Sequence, residues 1–176
     1  AAWHSPFVLS PRDLLLAALD GQNGIITIWN MRTGERVAEM KHGAPAQALN
    51  WSSDGQRLAS GGSDGVIRIW DAKTGQEQRS FLATATVLAV AFSPDDQTIA
   101  VGTEGKDTQV LDATTGNVKR TLRIQGGHVH RLKFSPDGRK LAMSNRTFGG
   151  YGRDNRVWSL EEEGSLDLSS GADSLA

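Results

Sequence analysis

Apolar residues in this chain come in short alternating or continuous runs bounded by turn formers, with no sustained stripe of period 3.6. Val66-Ile67-Arg68-Ile69-Trp70 is β-branched and aromatic, and residues 87–92 are apolar throughout, so both read as strands. A recurring turn separates such runs. Trp51-Ser52-Ser53-Asp54-Gly55, Phe92-Ser93-Pro94-Asp95-Asp96 and Phe134-Ser135-Pro136-Asp137-Gly138 are near-copies, and Leu9-Ser10-Pro11-Arg12-Asp13 is a weaker fourth. Pro pre-sets φ, Asp bonds the backbone ahead of it, and Gly accepts positive φ. The leading apolar residues fall at 9, 51, 92 and 134, in steps of 42, 41 and 42. Trp29-Asn30, Trp70-Asp71, Leu111-Asp112 and Trp158-Ser159 form a second series, and Thr33-Gly34, Thr74-Gly75, Thr115-Gly116 and Glu163-Gly164 a third. Three series on nearly one beat predict a unit of four short strands, a to d, repeated every ~42 residues.

Trp-Asp after Val-Ile-Arg-Ile, with Ser-Pro-Asp-Gly upstream and Thr-Gly downstream, resembles the WD-repeat family. The resemblance covers about residues 7–168. It implies an all-β fold of β-propeller blades, each of four antiparallel strands. Four blades are expected, at about 7–41, 42–82, 83–123 and 124–168, followed by a disordered tail at 169–176. Pro6 and Pro11 interrupt strand a of the first, Leu111 replaces the Trp in the third, and the fourth carries a six-residue expansion before Trp158. In a ring of about seven blades each turns roughly 50°, so four blades form an open or partial ring with uncovered ends. The first expectation is that further blades of a longer multi-domain regulatory protein cover them. The second is two copies paired into an eight-bladed ring, and the third a tight closure of four blades.

The resemblance also implies a hydrogen-bond relay: a His in the d–a loop, a Ser or Thr on strand b, an Asp in the b–c turn and the Trp of strand c. Only the second repeat holds all four, as His42, Ser60, Asp64 and Trp70. A buried indole N–H needs an acceptor, and a fully connected network fixes strand register. The first repeat has Asn23 in the Asp place, the third has Gly105 there and no His, and the fourth has His128 displaced toward its strand. His42, Ser60 and Asp64 also have the residue types of a hydrolase triad. Ser60, however, falls in mid-strand with no nucleophile elbow or oxyanion loop, so no catalytic residue is assigned. His128 and His130 would share a strand face, but no third ligand is near in sequence; no metal and no cofactor is expected.

Composition narrows the classes further. Cysteine is absent, which removes disulfides, thiol nucleophiles and thiolate metal sites. The net charge of −1 conceals an uneven distribution. Residues 1–118 hold 9 basic and 13 acidic side chains, residues 119–156 hold 10 and 2, and residues 157–176 hold none and 5. A basic fourth blade suggests an acidic or polyanionic partner as an alternative role. Scarce aromatics there argue against nucleic acid. The expansion at 146–153 supplies Arg146, Phe148, Tyr151 and Arg153 in a Gly-rich b–c loop, the composition of a partner-binding loop. The resulting expectation is a non-enzymatic scaffold for protein–protein interaction, with self-association possible through the end blades. A small-ligand or enzymatic site in the central channel is the competing reading, and bland strand a residues such as Ala46, Ala48, Val87 and Ala89 weigh against it. The longest apolar run, residues 14–19, is far short of the ~18 a membrane helix needs. With no signal peptide visible, a cytoplasmic location without a membrane partner is expected.

Overall fold

A computed structural model describes residues 7–105, 107–123, 128–146, 153–161 and 165–167, without the side chains of 145, 146, 153, 154 and 165–167. Among these residues there is no helix. The first sheet comprises β1 (Phe7–Leu9), β2 (Leu15–Asp20), β3 (Ile25–Asn30) and β4 (Arg36–Lys41). The second comprises β5 (Ala46–Trp51), β6 (Arg57–Gly62), β7 (Val66–Asp71) and β8 (Glu77–Leu82). β9 (Val87–Phe92), β10 (Thr98–Thr103), β11 (Asp107–Asp112) and β12 (Val118–Arg123) form the third. β13 (His128–Phe134), β14 (Lys140–Arg146), β15 (Arg153–Ser159) and β16 (Ser165–Asp167) form the fourth. Every sheet is an antiparallel meander in chain order. The architecture is all-β, four blade-like sheets in an open array. The expected tail at 169–176 lies outside the described residues.

The sheets stack in sequence through three apolar clusters. The first joins sheets one and two through Ala17, Ile26, Ile28 and Met40 against Leu58 and Trp70. The second packs Ile67 and Ile69 of sheet two against Val87, Val90, Ile99 and Leu111 of sheet three. The third packs Ala100, Val110 and Leu122 against Phe134, Leu141, Met143 and Trp158 of sheet four. Strand b of the second and of the third sheet leaves room for the strand a of the next. A Cβ on Gly61 would collide with Val87, and one on Gly102 would come within 2.7 Å of Val129 Cγ1. Glycine at these points permits an approach that any side chain would block. Polar bonds cross the same gaps: Trp51 Nε1 donates to the Val8 carbonyl at 3.0 Å, and the Phe92 amide to Asn50 Oδ1 at 2.9 Å.

No apolar cluster joins sheet four to sheet one among the described residues, and the first sheet shows the consequence. Phe7, Leu9, Trp29 and Met31 precede Leu49, Trp51, Trp70 and Ala72 by one period. The latter four are buried against the preceding sheet, whereas the former have none before them and are exposed. Trp29 is 40% exposed and Trp70 4%, so equivalent tryptophans differ in depth because only one has a neighbour. A contiguous face of this kind marks an interaction surface.

The a–b turns repeat one bonding pattern. Ser93 Oγ donates to Asp95 Oδ1 at 2.5 Å and accepts the Thr98 amide at 3.0 Å; Ser135, Asp137 and Lys140 repeat this. The Ser hydroxyl and then a backbone amide hold Asp95 and Asp137 below the ordinary carboxylate range. Asp96 departs from the pattern. It stands where its neighbours have Gly55 and Gly138, and adopts φ 59° beside their 72° and 73°. This left-handed backbone is strained for a residue with a Cβ. The carboxylate offsets the strain across the gap between sheets, accepting the Ser53 amide at 2.6 Å and the Asp54 amide at 3.0 Å. The Asp96 carbonyl accepts from Arg57 at 2.9 Å, and that guanidinium lies 5.2 Å above the Phe92 ring. Asp96→Ala keeps the strain and loses both charge-assisted bonds, so chemical denaturation should show a loss of about 2–3 kcal/mol. Asp96→Gly relieves the strain and should lose less, by about 1 kcal/mol.

Candidate functional site

The second sheet assembles its polar network in the first gap. His42 is fully buried in the loop between β4 and β5, Ser60 lies mid-β6, Asp64 in the β6–β7 turn, and Trp70 near the end of β7. The structure brings the four together. Trp70 Nε1 donates to Ser60 Oγ at 2.8 Å, Ser60 Oγ lies 2.7 Å from His42 Nδ1, and His42 Nε2 lies 3.3 Å from Asp64 Oδ1. A Cβ on Gly62 would strike the imidazole, so glycine at the end of β6 makes its place.

The donor inventory assigns the tautomer. Indole N–H can only donate, so Ser60 Oγ accepts from Trp70 and passes its own proton to Nδ1. Nε2 then carries the ring proton toward Asp64. The reverse assignment leaves the Ser60 proton without an acceptor in a fully buried position. A fifth member joins at the rim. Arg68 Nη1 donates to Asp64 Oδ2 at 3.0 Å; its 2.9 Å approach to His42 Nε2 sets donor beside donor in this tautomer and is no bond, while its Nε faces Glu77 at 3.4 Å. Strand periodicity could have indicated Arg68, which stands two residues before Trp70 and so on its face.

Charge follows from this geometry. Burial, and after it the Arg68 guanidinium, pushes the His42 pKa below its ordinary 6.5, so the ring is neutral in the folded protein near neutral pH. Burial alone would raise Asp64, but the Arg68 hydrogen bond and the Val66 amide outweigh it and hold the carboxyl below its usual range. Ser60 is not poised as a nucleophile: it is fully buried, its oxygen is occupied by Trp70, and its proton by His42.

The other sheets lack this network for evident reasons. The positions of Ser60 in the repeat are Ala18, Val101 and Met143, and none can accept an indole bond. Asn23 Nδ2 instead donates to Asp20 within its own turn, at 2.8 Å. His128 Nδ1 donates to the Glu104 carbonyl at 2.6 Å, and its ring meets His130 edge-on with centroids 6.4 Å apart. A register shift between Val129 and Arg131 breaks the alternation that would put both rings on one face. No cluster of metal-ligating side chains occurs among the described residues. Of the expected loop residues, Phe148 and Tyr151 lie outside the described residues. Arg146 and Arg153 pair across β14 and β15 at the base of that hairpin.

Four-stranded sheets stacked through strand a, with a Trp–Ser–His–Asp relay in one of them, define a segment of β-propeller. The family model described as WD domain, G-beta repeat matches residues 34–71 and 75–111, so these two stretches are WD repeats. A comparison with curated proteins finds no match. Among solved structures, Kuenenia stuttgartiensis Hydrazine Synthase is similar with a TM-score of 0.81 and 18% identity, over 96% of this chain and 51% of that one. A structure titled Structure of U3-55K is similar with a TM-score of 0.79 and 21% identity, over 92% and 50%. At such identities the likeness is one of fold. The chain spans about half the length of each.

Two outcomes are expected from the relay. Ser60→Ala leaves the buried Trp70 N–H and the His42 ring nitrogen unpaired, and denaturant unfolding should show a loss of about 1–3 kcal/mol. His42 has a folded pKa below its unfolded value, so the unfolded chain binds the proton more readily. Stability from the neutral ring is therefore complete above about 6.5, falls as pH drops below that value, and levels off below the folded pKa. Melting temperatures recorded across that range should fall more steeply for the native chain than for His42→Gln.

Proposed function

We propose that this protein is a non-enzymatic scaffold that presents its blade loops to a protein partner. The observation that carries this reading is the saturated relay. Its residue types are those of a hydrolase, yet its serine is fully buried and every hydrogen-bonding atom is engaged within the fold. The network therefore serves strand register. WD repeats in general support protein interaction, which agrees with the reading. An enzymatic propeller is the second reading, because one structural neighbour is by its title a synthase. A likeness of 18% identity carries only the fold.

The partner surface we infer is the hairpin loop after β14, with Arg146, Phe148, Tyr151 and Arg153. The fourth repeat departs there from its own template, and the segment joins two paired strands, where sequence can vary without disturbing the sheet. Chemical cross-linking of the native chain in extracts from cells that express it should trap a discrete protein. Arg146→Glu with Arg153→Glu should abolish that cross-link and leave the circular dichroism spectrum and melting temperature unchanged. An unaltered cross-link would remove the loop from the reading. Turnover of a small molecule that depends on residues of the channel would overturn the scaffold itself.

A further inference from the structure

The last sheet does not repeat the face that the earlier sheets turn toward their successors. Cross-strand pairing places three side chains of strands a, b and c in each rung of that face. One rung reads Ala48–Gly61–Ile67 in the second sheet and Ala89–Gly102–Thr108 in the third, but Arg131–Ser144–Asn155 in the fourth. The next reads Asn50–Ala59–Ile69 and Ala91–Ala100–Val110, then Lys133–Ala142–Val157. The last pairs Arg57 with Asp71 and Thr98 with Asp112, then Lys140 with Ser159.

Two independent changes follow. Ser144 stands where the second and third sheets have a glycine, so no valine could approach there as Val87 and Val129 do; the first sheet has Leu19 at this place and meets the smaller Ala46 instead. The small residues of strand a become Arg131 and Lys133, both exposed, and the carboxylate of the third rung is gone. Another blade seated here would bury two cations against apolar side chains, a cost of several kcal/mol for each unpaired charge.

The same face borders a concavity. A cavity of about 650 Å³ runs along the inner strands, and among the described residues no Asp or Glu lines it. His130, Arg131, Lys133 and Arg156 supply its basic side chains, with Ala89 and Val157 among the apolar ones. Arg131, Lys133 and Lys140 have no ion-pair partner among the described residues. Arg131 and Lys133 alternate along one strand, so their side chains stand about 6.8 Å apart on one face. An extended peptide laid along β13 offers its own alternate side chains at that spacing. Phe134 and Trp158 are buried toward the third sheet, so among the described residues of the fourth sheet no Phe, Tyr or Trp ring faces outward to stack a nucleobase, and Phe7 of the first sheet is the one such ring lining the cavity.

We propose that this outer face of the fourth sheet is a docking surface for an extended acidic peptide, with carboxylates at alternate positions meeting Arg131 and Lys133 and apolar residues between them. This rests on the scaffold reading and names a second contact surface for it, separate from the β14–β15 loop. The test uses a fluorescent peptide alternating Glu and Val, with its Gln and Val counterpart as control, in anisotropy titrations of the native chain. The acidic peptide should bind and the control should not, and binding should weaken steeply with salt. Arg131→Glu with Lys133→Glu should reduce affinity by about tenfold or more, while Arg131→Lys with Lys133→Arg should retain it. Unchanged melting temperatures would show that both variants fold. Equal binding of the two peptides, insensitivity to the charge reversal, or tighter binding of a single-stranded RNA of equal charge would each overturn the proposal. Failure of the acidic peptide while a partner still cross-links through the β14–β15 loop would refute this surface and leave the scaffold standing.

Discussion

The distance between neighbouring sheets depends on a fit of sizes where strand a of one meets strand b of the sheet before it. In the second and third gaps a glycine receives a valine, Gly61 with Val87 and Gly102 with Val129. In the first gap the sizes are exchanged, and Leu19 and Ala46 occupy the corresponding positions in one buried cluster. Each pair sets a large residue against a small one, and close packing would not admit two large ones. That spacing in turn lets Asp96 reach the Ser53 and Asp54 amides and lets Asn50 cap the Phe92 amide. The polar contacts between sheets thus follow from an apolar constraint. They add direction to a packing that by itself is nondirectional.

The relay belongs to the same gap and solves a local problem. A tryptophan on strand c presses a large apolar surface against the preceding sheet but brings a donor into the interior. Ser60 accepts it, and the chain of bonds then runs outward through His42 to Asp64 and Arg68, where water can complete the solvation. The third sheet avoids the problem, because Leu111 fills the site with no donor to satisfy. In the first sheet Trp29 sits at an open face and solvent can take its N–H. A single complete relay is what these three environments require.

These particulars divide what the sequence discloses from what it conceals. The beat, the strand count and the second-repeat relay are visible in Trp70, Ser60, His42 and Asp64, because each sits at a fixed offset from a turn with its own chemistry. The depth of a residue is not visible that way. Trp29 and Trp70 have matching local sequence and differ in exposure because burial is set by a neighbouring sheet. Asp96 reads as a degenerate turn residue, and its role appears only when the preceding turn is brought beside it. Arg131 and Lys133 were hidden for a further reason. The register shift after Val129 interrupts the alternation from which a face could be assigned, so a plain count along strand a sorts them incorrectly.

The two ends of the array are therefore different surfaces. The leading face of the first sheet exposes Phe7, Leu9, Trp29 and Met31, the pattern of an inter-sheet face without its cover. The outer face of the fourth presents Arg131, Lys133 and Lys140. Head-to-tail pairing of two copies into one ring would press these cations onto a largely apolar face, whose carboxylates are Asp20 and Glu39, opposite Ile25 and Thr27 on the side of β3 that carries Trp29. The desolvation cost falls on the fourth sheet while the apolar gain falls on the first, so the two ends differ in kind. The array thus has a polarity: an apolar end that needs a sheet against it, and a charged end that suits a separate, acidic ligand.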